Sequence, residues 1–317
     1  MKHSATPNRV QSLHGDSFDG QAGPLAEALS TRILIGDCIA SMRELPDQSV
    51  HTCVTSPPYF RLRDYEMDGQ IGLEDTPDAY VARLVEAFRE VRRVLRDDGT
   101  LWLNLGDTIS GKQLLGVPWR VAFALQADGW FLRQDIIWSK PNPMPESVTD
   151  RCTKAHEYIF LLSKSARYFF DAEAISEPAA DSSVARLMQP TLASQAGSAR
   201  VPGKTNGNMK AVGNGKTRNR RSVWTVTTKP FKGAHFATFP PDLIEPCILA
   251  GSPIGGTVLD PFGGSGTTAG VAIKHGRGAI LCELNPSYIA MIHDRIASIA
   301  GPLFAVAADS SQYGLCE

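Results

Sequence analysis

Between Thr257 and Gly276 a short apolar run, TVLD, enters the turn PFGGSG, and the small-residue segment TTAGVAIKHG follows. No other stretch restricts the possible folds so strongly. TVLD reads as a buried strand and TTAGVAIKHG as a helix closed by Gly276. Gly264-Ser265-Gly266-Thr267-Thr268-Ala269 fits GxGxx(G/A) in the strand–turn–helix setting that gives the pattern its meaning. Glycine lets the backbone approach a ligand with no Cβ in the way. The helix start offers free N–H groups. The next strand, GAILCEL (278–284), carries Glu283, 17 residues after Gly266. A carboxylate there can accept hydrogen bonds from both hydroxyls of a ribose. The unit predicts an adenosine-containing cofactor, and alone it suits a nicotinamide cofactor and S-adenosylmethionine equally. No lysine follows Gly266, so it is not a Walker A loop.

The rest of the chain alternates in the same way. RILIGD (32–37) reads as a strand ending at an acidic residue, and SVHTCVTSPPY (49–59) as a second strand broken at Pro57. Pro77–Leu95 is the clearest helix. Asp75 or Thr76 caps it, and Val81, Leu84, Val85, Phe88, Val91, Val94 and Leu95 follow helical spacing up to the Asp98-Gly99 stop. A strand at 99–107, a helix at 117–129 and strands at 130–140 and 156–165 follow. Helices are expected at 240–251 and 285–300. The expected fold is therefore α/β, with a mostly parallel, doubly wound sheet covered on both faces.

Residues 171–222 break the pattern. They are rich in Ser, Ala, Gly, Asn and basic residues, and a stretch of that length is a functional insertion or disordered. The chain as a whole has a net charge of −1, yet Asp181–Pro230 holds nine Lys/Arg against one acidic residue. A localised contact with a polyanion is the functional reading, a solvated basic loop the plain one. The expected division is a flexible extension at 1–30, one half-domain at 31–170, a basic insertion at 171–232, a second half-domain at 233–300 and a tail at 301–317. Cys38, Cys53, Cys152, Cys247, Cys282 and Cys316 show neither CxxC pairing nor metal-site spacing, so neither a disulfide framework nor a metal site is expected. No apolar run approaches the roughly 18 residues needed to span a bilayer. The first residues lack the apolar core of a signal peptide, so a cytoplasmic location is expected.

Thr55-Ser56-Pro57-Pro58-Tyr59 separates the two cofactor readings. Two prolines fix φ near −65° and contribute no backbone donor. The result is a stiff turn at a strand end that presents carbonyls, the Ser56 hydroxyl and an aromatic face. Such a surface can take two hydrogen bonds from an exocyclic amine while its ring stacks on Tyr59.

At this point the sequence resembles a family. TSPPY (55–59) looks like the catalytic motif IV of the amino DNA methyltransferases, and DPFGGSGTT (260–268) like their motif I. The catalytic motif comes first, then the basic segment, then the cofactor motif, an order similar to the circularly permuted beta class. RVLRDDGTLWLNLGD (93–107), WSKPNPMPES (138–147) and AHEYIFLLSKS (155–165) resemble further family segments, and AHFATFP (234–240) resembles motif X. The resemblance covers most of residues 32–300.

It implies a site-specific transfer of a methyl group from S-adenosyl-L-methionine to the exocyclic N4 amine of a flipped cytosine. Ser56, Pro57, Pro58 and Tyr59 are the implied catalytic residues. Asp260, Phe262, Gly264, Ser265, Gly266, Thr267 and Thr268 would line the cofactor, with Glu283 on the ribose and Asp37 at the adenine amine. His235, Ala237, Thr238 and Phe239 would lie near the methionine carboxylate. The basic segment corresponds to the target-recognition region, so Arg186, Arg200, Lys204, Lys210, Lys216, Arg218, Arg220 and Arg221 are the candidate DNA contacts. The implied partner is double-stranded DNA, with a restriction endonuclease acting on the same site as a further candidate, for a monomer or a homodimer.

Serine at the head of the motif is the form typical of cytosine-N4 methylation; aspartate is usual for adenine-N6, which is the alternative. A nicotinamide dehydrogenase would leave TSPPY, the basic segment and motif X unexplained. A DNA-binding protein without activity is at odds with intact Ser56, Tyr59 and Glu283. Trp102, Trp119, Trp130 and Trp138 read as packing residues, and His156 and Glu157 as the start of a strand with structural hydrogen bonds.

Overall fold

In a computed structural model, residues 30–191, 216–228 and 239–301 are described. The chain runs through β1 (Thr31–Ile35), α1 (Cys38–Arg43), β2 (Val50–Thr55), α2 (Pro77–Val94) and β3 (Leu95–Leu105). The short pair β4 (Ile109–Ser110) and β5 (Gln113–Leu114) precedes α3 (Val117–Ala127), β6 (Phe131–Ser139) and β7 (His156–Ser163). Then come β8 (Glu177–Pro178), α4 (Asp181–Leu187), β9 (Thr217–Arg218) and β10 (Val223–Thr225). α5 (Pro241–Gly251), β11 (Thr257–Asp260), α6 (Thr267–Lys274), β12 (Gly278–Glu283) and α7 (Ile289–Ala300) complete the described chain.

Eight strands form one sheet in the order β1-β12-β11-β2-β3-β7-β6-β10. Only β7 runs antiparallel to its neighbours, as expected for a mostly parallel α/β sheet. Strands send successive side chains to opposite faces. Along β3, Leu101 and Leu103 join the core under α1, α2 and α3, while Trp102 joins the core under α5, α6 and α7. Trp102, Trp130 and Trp138 are buried, and Trp119 packs partly buried against Tyr158 and Phe160.

Helix α2 shows how directly the pattern acts. The Thr76 side chain accepts from the Ala79 N–H at 3.1 Å, and Pro77 opens the first turn. Tyr80, Leu84, Ala87, Phe88, Val91 and Val94 are buried at i+3 and i+4 spacing. Each such side chain of Leu or Phe size contributes about 1.5–3 kcal/mol. The helix ends one residue earlier than its periodicity predicts. Leu95 turns to ψ 140° and starts β3 at once, so Asp98-Gly99 lies within the strand. Leu95 pairs with Val50, and the ladder shifts register before Thr52 pairs with Thr100.

Two features follow from no local pattern. β6 and β7 are consecutive without a helix between them, so β7 returns antiparallel. β10 lies in the basic stretch, yet it pairs parallel with Ile137–Ser139 and buries Trp224 at the sheet edge. The topology also fixes where ligands can sit. From β11 the chain winds outward to β12, whereas from β2 it winds the other way to β3. The turns after β2 and β11 therefore meet at a switch point, the usual binding crevice of such sheets.

Candidate active site

A cleft of about 580 Å³ opens at that switch point. Ser56, Pro57, Pro58 and Tyr59 line one side, and Asp260, Phe262, Gly264, Ser265, Thr267 and Glu283 the other, with Asp37 and Phe239 at its walls. Thr55 Oγ1 donates to Asp260 Oδ1 at 2.6 Å and ties the two strand ends together. The structure thus brings both sequence motifs into one cavity. Gly266 and Thr268 stand behind the wall. Gly266 takes φ +82° as the N-cap of α6, where its hypothetical Cβ would meet Ile292 at 2.8 Å. The buried Thr268 hydroxyl donates to Asp260 Oδ2 at 2.7 Å.

Asp260 is almost fully buried, and burial pushes its carboxyl up to about 7 even though Thr55, Thr268 and the Phe262 N–H donate to it. Glu283 sits at the end of β12 with 8% exposure. Its Oε2 accepts the Gly264 N–H at 2.7 Å and its Oε1 the Asn285 N–H at 2.8 Å. One carboxylate thereby holds the glycine turn and the loop opposite. Burial raises its pKa. Each oxygen keeps a further lone pair for a ligand. Asp37 caps α1 through the Ala40 N–H at 2.9 Å and pairs with Arg83 at 3.4 Å, so its side chain has a structural duty as well as a place on the wall.

The Ser-Pro-Pro-Tyr turn is clamped from behind by the buried Tyr80, whose hydroxyl donates to the Pro58 carbonyl at 2.8 Å. The Tyr59 ring lies against Gly106, where any Cβ would come within 2.5 Å of Cε2. Tyr59 donates to Glu157 Oε2 at 2.6 Å. Asn104 Nδ2 lies 3.3 Å from Ser56 Oγ, 2.7 Å from Tyr59 Oη and 3.1 Å from Glu157 Oε2. Lys140 pairs with the other Glu157 oxygen and lies 4.2 Å from the Trp138 ring centroid. Burial and the Glu157 charge together push the Tyr59 phenol well above its ordinary range.

The basic candidates are divided. Arg218 and Arg221 both donate to Glu177 Oε1, at 3.0 and 2.6 Å, and so carry part of their charge into an ion-pair cluster. Arg220 lies over the Trp224 ring at 4.8 Å. Arg186, on α4, and Lys216 are exposed. Arg200, Lys204, Lys210, His235, Ala237 and Thr238 lie outside the described residues.

Residues 50–294 match a family model described as DNA methylase, of the N6/N4 methyltransferases. The chain belongs to the beta class of amino DNA methyltransferases. It is 42% identical over 324 aligned positions to the type II methyltransferase M.Cfr9I of Citrobacter freundii, covering 93% of this chain and 95% of that one. Among solved structures, TTHA0409 of Thermus thermophilus, in complex with S-adenosyl-L-methionine, is 25% identical with a TM-score of 0.59, over 88% of this chain and 99% of that one. PvuII DNA methyltransferase (cytosine-N4-specific) shares the fold at a TM-score of 0.60 and 20% identity, over 86% of this chain and 91% of that one.

Sequence reasoning about this DNA methyltransferase missed Asn104 and Lys140, and took Glu157 for a strand-opening residue. A polar Asn104 inside the apolar run TLWLNL and an acidic residue beside His156 were the only signals. Among the described residues no helix is long and apolar enough to cross a membrane.

Proposed function

We propose that this DNA methyltransferase moves the methyl group of S-adenosyl-L-methionine to the N4 amine of a flipped cytosine in double-stranded DNA. The observation that carries the reading is Ser56, a neutral hydroxyl at the head of the turn, sharing a cleft with the glycine-rich turn and Glu283. The residues suit such a cofactor: a buried carboxylate for ribose hydroxyls, small residues at Gly263 and Gly264, and Phe262 and Phe239 as apolar walls. When bound, the cofactor supplies an electrophilic methyl on a sulfonium.

The chain's own task is then to position and to stabilise charge. The target amine is a poor nucleophile because its lone pair is delocalised into the ring. Hydrogen bonds to Ser56 Oγ and the Pro57 carbonyl draw that lone pair out of the ring. The Tyr59 face favours the cationic amine by about 0.5–2 kcal/mol. Extrusion of the base costs a few kcal/mol, which contacts from Arg186, Lys216, Arg218, Arg220 and Arg221 to phosphates offset. Arg200, Lys204 and Lys210 join this proposed DNA surface, and His235, Ala237 and Thr238 the proposed cofactor site. The type II relative supports a partner endonuclease acting on the same DNA site.

The test is to methylate duplex DNA and identify the modified nucleoside by mass spectrometry. N4-methylcytosine is expected, and Ser56→Ala should lower turnover with little change in DNA or cofactor affinity. Label found only in N6-methyladenine overturns the cytosine assignment.

A further inference from the structure

We propose that Glu157 is the final proton acceptor of the methyl transfer, reached from the target amine through the hydroxyls of Ser56 and Tyr59. This rests on the reading that the amine contacts Ser56. The donors already point one way. Ser56 Oγ donates to Tyr59 Oη at 3.3 Å, and Tyr59 donates to Glu157 Oε2 at 2.6 Å. Ser56, Tyr59, Asn104, Lys140 and Glu157 all line the cleft. A hydroxyl has one proton and two lone pairs. With its proton committed to Tyr59 and one lone pair facing Asn104 Nδ2, Ser56 keeps a lone pair for the amine.

The reaction needs such an exit. The amine nitrogen forms a bond to the methyl carbon as the sulfur–carbon bond breaks and its electron pair stays on sulfur. The methylated amine then carries one proton too many. That proton passes to Ser56 Oγ, the Ser56 proton to Tyr59 Oη, and the Tyr59 proton to Glu157 Oε2. The product amine is neutral, both hydroxyls are restored, and Glu157 is a carboxylic acid. A phenol held well above its ordinary pKa relays the proton without storing a negative charge.

A merely structural partner for Tyr59 does not require a charged pair. Glu157 and Lys140 have only 15% and 18% side-chain exposure, and desolvating such a pair is costly. Lys140, which follows β6 directly, pairs with Glu157, and the charge of Glu157 also acts on Lys154, which precedes β7. Asn104, on β3, keeps Ser56, Tyr59 and Glu157 in register.

Glu157→Gln separates the roles, because an amide oxygen still accepts from Tyr59 but takes no proton. Tyr59→Phe keeps the ring, breaks the relay and leaves the buried ion pair intact. Single-turnover methylation of duplex DNA is followed in H2O and D2O, with cofactor and DNA affinities and thermal melting measured alongside. Both variants are expected to bind normally, to lose about 10²-fold in rate, and to lose the solvent isotope effect of the wild type. A wild-type rate in folded Glu157→Gln or in Tyr59→Phe overturns the relay, as does a rate loss with an unchanged isotope effect. The wild-type enzyme serves as the internal check: if it methylates no DNA amine, the underlying reading has failed, whereas normal methylation with unaffected variants condemns the relay alone.

Discussion

Replacing Gly106 by alanine tests the active-site geometry with a single methyl group. The added Cβ would lie 2.5 Å from Cε2 and 2.9 Å from Cδ2 of Tyr59. Carbon atoms rest about 3.5–4.0 Å apart, so the ring must retreat by about 1 Å. It has little freedom to do so. Its backbone follows two prolines, Pro58 is held by Tyr80, and its hydroxyl is fixed by Glu157 and Asn104. The overpacking should destabilise the fold by about 1–3 kcal/mol. The larger effect falls on chemistry, since a 1 Å misplacement at a reacting centre can lower a rate by about 10²-fold. Cofactor affinity should barely change, because Gly106 is absent from the wall formed by the glycine turn. Single-turnover methylation at saturating cofactor and DNA measures the rate, and calorimetry the affinity. A folded Gly106→Ala protein with the wild-type rate would refute the claim that the ring position controls transfer.

Glu283→Ala removes the acceptor for the Gly264 and Asn285 N–H groups, each such bond to a charged group being worth about 1.5–3 kcal/mol. S-adenosylmethionine should bind at least about 10²-fold more weakly by calorimetry, and unchanged affinity would remove Glu283 from the site. Asp260 rises from 3.8 to about 7 in the folded protein, which therefore holds a proton that the unfolded chain has released across that window. Its contribution to stability is greatest at low pH and is lost as pH rises through about 7. Asp260→Asn should flatten the fall in melting temperature over that range, and an unaltered slope would assign it to other groups. Glu177→Gln frees the Arg218 and Arg221 charges and should tighten DNA binding. Replacing Arg218, Arg220 and Arg221 together by alanine should weaken it and flatten its salt dependence by up to about 0.9 per lost phosphate contact. Salt-titrated binding curves that ignore both changes would make this cluster structural.

Much of the molecule was legible because its cues are local. The i+3 and i+4 burial along α2, the proline stop after Thr55 and the strand–glycine–helix unit around Gly264 each follow from backbone geometry over a few residues. The alternation of strands and helices implied the mostly parallel sheet, and the order of the two motifs pointed to the beta class. The tertiary structure alone decided what meets across the sheet. β7 reverses because it follows β6 with no helix between them, β10 joins the edge through a partner strand far away in sequence, and one buried tryptophan holds β10 within a stretch whose composition reads as loop. Glu157 lies 98 positions from Tyr59 and Asn104 lies 45, so no spacing rule connects them. Glu177 takes up part of the charge of Arg218 and Arg221 from 41 and 44 positions away. Periodicity tells which face of an element is buried; strand order decides which polar groups those elements carry to the same end of the sheet, and there the chemistry of this site is set.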